Sequence, residues 1–296
     1  MNLKSFVHIP LFLVVFLHIS NAQSGTELSL GIDEFLSKTR PEYLGKKLGL
    51  CTNTGGVNHT GQRTIELLEQ EFGLDLLLTL DDWNDTTTFS DNRTSVIVEG
   101  HSFEKINISG ILPVQIVELI KDLDVLFVDL QGIGIRSQSY TVTLQHLLYA
   151  GGIASTSIII LDRPNPLGGE MVSGNIPQDS LGSPGSFIPI PYRHGMTIGE
   201  LARLLNTEND HGADLMIIPM DNWQGQPWGE IGLDWTPISP GISTVGDLER
   251  FTITSILGAD EILENGVSTD RPYEILVHPK ITSGSDIVFA LKEMEL

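Results

Sequence analysis

Residues Ser157 to Gly169 read Ser-Ile-Ile-Ile-Leu-Asp-Arg-Pro-Asn-Pro-Leu-Gly-Gly, and the fold is read outward from them. Four consecutive apolar residues, three of them β-branched, predict a strand buried on both faces. Asp162 and Arg163 follow at once, and Pro164 and Pro166 then forbid either a helix or a further ladder. Such a strand ends in charge. In an open parallel sheet, ligand sites collect outside the carboxyl ends of the strands, so this ionic pair and its Pro/Gly loop form a candidate binding wall. The alternative is that Asp162 and Arg163 only pair with each other and pin the loop.

Around this strand the chain alternates strand and helix. Lys47–Thr52 reads as a first strand, and Thr64–Phe72 carries apolar residues at helical spacing, closed by Gly73. Leu74–Leu80 is the next strand. Asp81 to Ser102 is polar, with an Asp-Asp-Trp-Asn-Asp cluster, and reads as a long loop over the sheet edge, either a lid or unstructured. Pro113–Leu123 predicts a helix that starts on Pro, Asp124–Leu130 a buried strand, and Thr141–Ala150 a helix. Thr197-Ile198-Gly199-Glu200 is a capping box that opens a helix over Ile198–Leu205, and Asp214–Pro219 is a fifth strand. The alternation predicts a doubly wound α/β fold with a mostly parallel, Rossmann-like sheet.

The Gly132-Ile133-Gly134 turn between a strand and a helix invites a dinucleotide reading. It is rejected: Ser137 stands in the third glycine's place, this is not the first strand, and no acidic residue ends the following strand at the usual distance of roughly 20 residues. Arg193 and His194 sit just ahead of the positive end of the capped helix, placed to meet a polar or anionic group; alternatively His194 hydrogen-bonds its own loop. Trp223, Trp228 and Trp235 cluster among Gly and Pro, as in the walls of sugar sites or in packed corners. From Ser239 the composition starts a second unit, with the runs Phe251–Ile256 and Tyr273–His278 and an amphipathic helix over Ser285–Lys292. The domains expected are therefore 27–238 and a partial α/β unit over 239–296.

Composition narrows the partners. The 296 residues carry 17 Lys+Arg against 38 Asp+Glu, a net charge of -21, which repels nucleic acid and anionic membranes over most of the surface. Residues 1–22 have the form of a secretion signal, with Lys4, an apolar run over Ile9–Ile19 and Ser20-Asn21-Ala22 as the cleavage site. This predicts a secreted protein, or a periplasmic one in a bacterial host, and no stable membrane insertion. The single cysteine, Cys51, lies in an apolar run and reads as a buried small hydrophobe. Asn58, Asn84, Asn92 and Asn107 open Asn-X-Ser/Thr triplets, glycosylation acceptors in a host that modifies secreted proteins. The sequence assigns no oligomeric state.

Leu161-Asp162-Arg163-Pro164-Asn165-Pro166-Leu167-Gly168-Gly169, with Pro191-Tyr192-Arg193-His194-Gly195-Met196-Thr197-Ile198-Gly199-Glu200-Leu201, closely resembles the exo-β-N-acetylmuramidase family of glycoside hydrolases. Asp129-Leu130-Gln131 with Gly134, Arg136 and Tyr140, and Gly49-Leu50-Cys51-Thr52-Asn53, also look like its signatures. The resemblance implies a Rossmann-like domain, a smaller C-terminal α/β domain and a cleft between them. It implies release of N-acetylmuramic acid from peptidoglycan fragments, with no metal or nucleotide cofactor. Two carboxyl groups flanking the glycosidic oxygen are the usual machinery. The sugar site implied is lined by Asn53, Asp129, Gln131, Arg136, Asp162, Arg163, Asn165, Arg193 and His194, with Arg163, Arg193 or Arg136 suited to a lactyl carboxylate.

The sequence departs from the family where the chemistry is expected. Leu80-Asp81-Asp82-Trp83-Asn84 replaces the family's Pro-Glu-His-Gly, leaving Asp82 or Asp81 as the candidate acid, one methylene shorter. Ala259-Asp260-Glu261-Ile262 and Gly266-Val267-Ser268-Thr269 replace the C-terminal Glu-Gly-Thr-Asn and Gly-Arg-Gly-Thr segments. About a hundred residues of the family's C-terminal part lack a counterpart, so one cleft wall is expected to be incomplete. Two further readings stay open: a non-catalytic sugar-binding or interaction protein derived from that enzyme, and a truncated product that folds poorly.

Overall fold

The computed structural model describes residues 27–80, 93–137, 139–177, 188–239 and 241–258, together with 266, 269–275, 277 and 284. Seven strands form one sheet: β1 (Leu48–Thr52), β2 (Leu76–Thr79), β3 (Arg93–Val98), β4 (His101–Asn107), β5 (Val125–Asp129), β6 (Ser157–Leu161) and β7 (Leu215–Ile218). Their order is β3-β4-β2-β1-β5-β6-β7, and every pairing is parallel except β3 with β4. Six α-helices accompany the sheet among the described residues: α1 (Gly31–Leu36), α2 (Thr64–Phe72), α3 (Pro113–Ile120), α4 (Ser139–Ala154), α5 (Ile198–Glu208) and α6 (Val245–Gly258).

The apolar strands read as continuous runs because both faces of the sheet are covered. Successive side chains point to opposite faces, and the two cores divide accordingly. Cys51, Leu126, Val128, Ile158 and Ile160 join α3, α4 and α5 on one face. Leu48, Leu50, Phe127, Ile159 and Leu161 join α1 and α2 on the other. Cys51, the chain's single cysteine, is thus a fully buried core residue. The capping box forms as its spacing predicts, with the Glu200 N–H donating to Thr197 Oγ1 and the Thr197 N–H donating to Glu200. Gly73 ends α2 at φ 78°, with its N–H on the Glu69 carbonyl.

One expectation is corrected. The end of the supposed loop over Asp81 to Ser102 is an antiparallel hairpin, β3–β4, turning on Glu99 and Gly100, both at positive φ as a two-residue turn requires. Its outer strand, Arg-Thr-Ser-Val-Ile-Val, starts polar as a sheet edge tolerates, and that start continues the polar run before it and makes it read as loop. Residues 81–92, with Asp81, Asp82, Asn84 and Asn92, lie outside the described residues. The run Phe251–Ile256 lies inside α6, whose Leu248 belongs to the core of the main sheet. Tyr273 meets Phe251 edge-on with ring centroids 5.0 Å apart, and the helix expected over Ser285–Lys292 lies outside the described residues.

Candidate active site

The strand order reverses direction between β1 and β5, so their carboxyl ends open a crevice at the topological switch point. The residues that end these strands are laced together. Asn53 donates through Nδ2 to the Gln131 carbonyl at 2.9 Å and accepts the Gln131 N–H at 3.2 Å. Thr52 Oγ1 donates to the Asp129 carbonyl at 2.9 Å. From the end of β6, Arg163 crosses behind them: Nη1 meets Asp129 Oδ1 at 2.8 Å, Nε donates to Gln131 Oε1 at 3.1 Å, and Nη2 donates to the Val57 carbonyl at 2.8 Å. Thr64 Oγ1 donates to the second Asp129 oxygen. Arg163 and Asp129 are 2% and 0% exposed, so each charge depends on the other for its solvation.

Asp162 does not pair with the Arg163 side chain, which corrects that alternative. Its carboxylate accepts from the backbone N–H groups of Arg163 (3.0 Å) and Gly199 (2.8 Å) and from Thr197 Oγ1 (2.9 Å), tying β6 to the start of α5. Burial pushes its carboxyl up to about 6, against the pull of those three donors. The folded protein therefore binds a proton that the unfolded chain releases near its ordinary 3.8. Stability from this group is full below about pH 4 and falls as pH rises toward about 6. Denaturant titrations across that window should show the decline, and Asp162→Asn should flatten it.

The other sequence candidates fall in different places. Adjacent residues of an extended segment point apart: Arg193 faces a groove with Glu170, Glu230 and Glu249, while His194 turns inward beside Asn165 and Tyr140. His194 Nδ1 accepts the Met196 N–H at 3.1 Å, the loop-binding alternative, and desolvation lowers its pKa to about 4, so the ring is neutral at neutral pH. Asn165 clamps the same loop through Met196 and Leu167, and its Oδ1 would lie 2.2 Å from a Cβ on Gly134. That contact, together with φ 81°, accounts for the second glycine of the Gly-X-Gly turn without a nucleotide. Arg136 donates through Nη1 to the carbonyls of Asn175 and Ile190, bracing two loops, and its partial burial lowers its pKa. The structure thus gathers Asn53, Asp129, Gln131 and Arg163 in one floor, and sets Arg136 and Arg193 apart from it.

Above that floor lies a cleft of about 140 Å³, walled by the β1 loop and by the segment Trp228–Thr236. Trp228 packs edge-on against Trp235, 5.1 Å between centroids, and both indole N–H groups are bonded to carbonyls. Trp228 and Trp235 therefore form a packed corner, and Trp228 also lines the cleft. Residues unremarked in the sequence join it. His59 stands on the rim, its Nδ1 2.8 Å from Asp33 Oδ1 and its backbone N–H on Asp33 Oδ2 at 3.2 Å. Asp234 faces it from the second wall. His59 is concealed in the triplet Asn58-His59-Thr60, and Asp33 lies 26 residues upstream, beyond any local pattern. Asn58 accepts from Thr60 and Gln62 in the same loop, and Asn107 ends β4. Among the described residues no cluster of three or more His, Cys, Asp or Glu is placed to hold a metal, and no helix is long and apolar enough to cross a membrane.

Comparison with known proteins bears on this cleft. Residues 48–246 match the family described as exo-β-N-acetylmuramidase NamZ, N-terminal. The chain is 30% identical over 261 residues to the peptidoglycan β-N-acetylmuramidase NamZ of Bacillus subtilis (strain 168), covering 87% of this chain and 63% of that protein. Two crystal structures of DUF1343 family proteins from Bacteroides fragilis NCTC 9343 share the fold. One is 27% identical with a TM-score of 0.77, over 91% of this chain and 70% of the other. The second is 24% identical with a TM-score of 0.69, over 87% and 69%.

Proposed function

The chain belongs to the exo-β-N-acetylmuramidase NamZ family, and from that membership we propose that it is a secreted glycoside hydrolase-like protein that takes a peptidoglycan-derived amino sugar into the switch-point cleft. The observation that carries the reading is that the family match spans the sheet and the β1, β5 and β6 ends that build the cleft floor. Gln131 and Arg163 close the cleft below, His59 and Asp234 offer exposed polar groups on its walls and Trp228 an apolar one, the combination that holds a pyranose by its hydroxyl edges and its flat face. The reaction proposed is release of N-acetylmuramic acid, in which a protonated carboxyl gives its proton to the leaving glycosidic oxygen and a second carboxylate attacks or activates water. Asp82, or Asp81, is proposed as the acid. Asn58, Asn84, Asn92 and Asn107 are proposed as glycan acceptors, and the boundary between the two units is placed at 238/239.

A second reading, a non-catalytic saccharide binder, is proposed from the departure read in the sequence, Leu80-Asp81-Asp82-Trp83 in place of the Pro-Glu-His-Gly that the family resemblance implies. Protein beginning at Gln23, assayed on a chromogenic β-N-acetylmuramide, separates the two. The hydrolase reading expects release, and Asp82→Asn or Asp81→Asn should lower kcat by roughly 100-fold with binding kept. Binding without release identifies the binder. Neither binding nor release would end both.

A further inference from the structure

Three titratable side chains line the cleft among the described residues: His59, Arg163 and Asp234. Arg163 is a permanent donor, buried against Asp129 at 2.8 Å, and moves no proton. Asp234 is exposed on the second wall, with no hydrogen bond or ion pair to orient it among the described residues. His59 is oriented. Its imidazole is 40% exposed, whereas the Asp33 carboxylate behind it is only 13% exposed. Asp33 Oδ1 meets Nδ1 at 2.8 Å, and Oδ2 accepts the backbone N–H groups of Leu30 and His59, both at 3.2 Å. A carboxylate oxygen can only accept, so the ring proton sits on Nδ1, and Nε2 is left with a lone pair and no partner among the described residues. Asp33 is itself held by α1, whose Gly31 donates to the Asp162 carbonyl at the end of β6.

From this geometry we infer that His59 is the general base of the cleft, with Asp33 as its positioning residue. The inference rests on the hydrolase reading and assigns the second group of that reaction, an imidazole in place of a carboxylate. Nε2 takes a proton from a water molecule as the water oxygen bonds to the anomeric carbon. The bond from that carbon to the leaving oxygen breaks, and the leaving oxygen keeps the electron pair and receives the proton of the acid. Asp33 stays ionised and stabilises the imidazolium, which then returns its proton to solvent. A pair that only pins the loop behaves differently in one variant. In Asp33→Asn the side-chain oxygen must stay with the two backbone N–H groups, which turns the amide NH2 to Nδ1 and moves the ring proton to Nε2. Every hydrogen bond of the loop is then kept, but the base is lost.

The test measures kcat and KM on a chromogenic β-N-acetylmuramide as a function of pH, with urea unfolding midpoints alongside. His59→Gln and Asp33→Asn should each lower kcat by roughly 100-fold with KM kept within about two-fold. Asp33→Asn should unfold at a midpoint close to the native one. Native kcat/KM should fall toward low pH, where the imidazole is protonated, and His59→Gln should lack that fall. The charged groups that face the ring are Asp33 from α1, Asp234 across the cleft and Arg163 from the end of β6, and Asp234→Asn should keep the fall that His59→Gln removes. Native kcat in either the His59 or the Asp33 variant overturns the inference and leaves the pair a fastener of the loop. A loss matched by an equal rise in KM, or by a lowered unfolding midpoint in Asp33→Asn, overturns it too. The hydrolase reading survives both outcomes. Absence of turnover from the native protein overturns that reading, and the inference falls with it.

Discussion

Replacing Arg163 with methionine is expected to lower the unfolding free energy by about 3–5 kcal/mol, because it strands the Asp129 carboxylate in the interior with, among the described residues, only the Thr64 hydroxyl to solvate it. The loss spreads beyond one pair: Gln131 Oε1 and the Val57 carbonyl lose a donor in the same step. Urea unfolding followed by tryptophan fluorescence measures it, as a shift in midpoint at unchanged slope. Coupling provides the control. The double variant Asp129→Asn with Arg163→Met should be destabilised by clearly less than the sum of the two single variants, since neither leaves a bare buried charge once both are gone. Additive losses would mean that the pair is not the unit holding the cleft floor.

A comparable loss is expected from one added methyl group. Gly31 begins α1 directly against the end of β6, donating to the Asp162 carbonyl at 3.0 Å. A Cβ there would stand 2.2 Å from Asp162 N, 2.6 Å from Leu161 C and 2.8 Å from the Ile218 carbonyl oxygen, all backbone atoms that cannot rotate away. Gly31→Ala must therefore push α1 off the sheet or bend β6, at a cost of about 3 kcal/mol. Gly45→Ala is the comparison: Gly45 has φ 74° but nothing within 4 Å, so only backbone strain of about 1 kcal/mol applies. Equal effects in the two variants would show that α1 yields freely, and with it the Asp33 that steadies His59.

How much of this was legible in the sequence follows from the range of each interaction. The buried parallel strands announce themselves through runs such as Ser157–Leu161, because burial on both faces leaves no polar alternation. The start of α5 is equally local, its cap and partner lying three residues apart. Asp162 and Arg163 could be picked out as the charged end of a strand, but not their partners. The carboxylate turns toward Thr197 and the guanidinium toward Asp129, 35 and 34 residues away. Edge strand β3 was lost because an exposed strand keeps the composition of a loop. Its signal lay in the β-branched residues Thr94, Val96, Ile97 and Val98 ahead of a Glu-Gly turn. His59 carries no pattern at all, and only the fold brings Asp33 to it.

The strand order also dictates when the molecule can become itself. β1 pairs on one side with β2, where Gly49 meets Leu76, and on the other with β5, where Leu48 meets Val125. The second pairing closes a loop of 77 residues before any contact rewards it, and such distant pairings slow folding. A chain emerging from the ribosome holds the central strand with one edge of N–H and C=O groups unpaired until β5 has been made, an interval in which that edge can join a strand of another molecule. Chains interrupted before residue 125 should therefore be recovered as aggregates, whereas chains ending beyond β7 should be soluble.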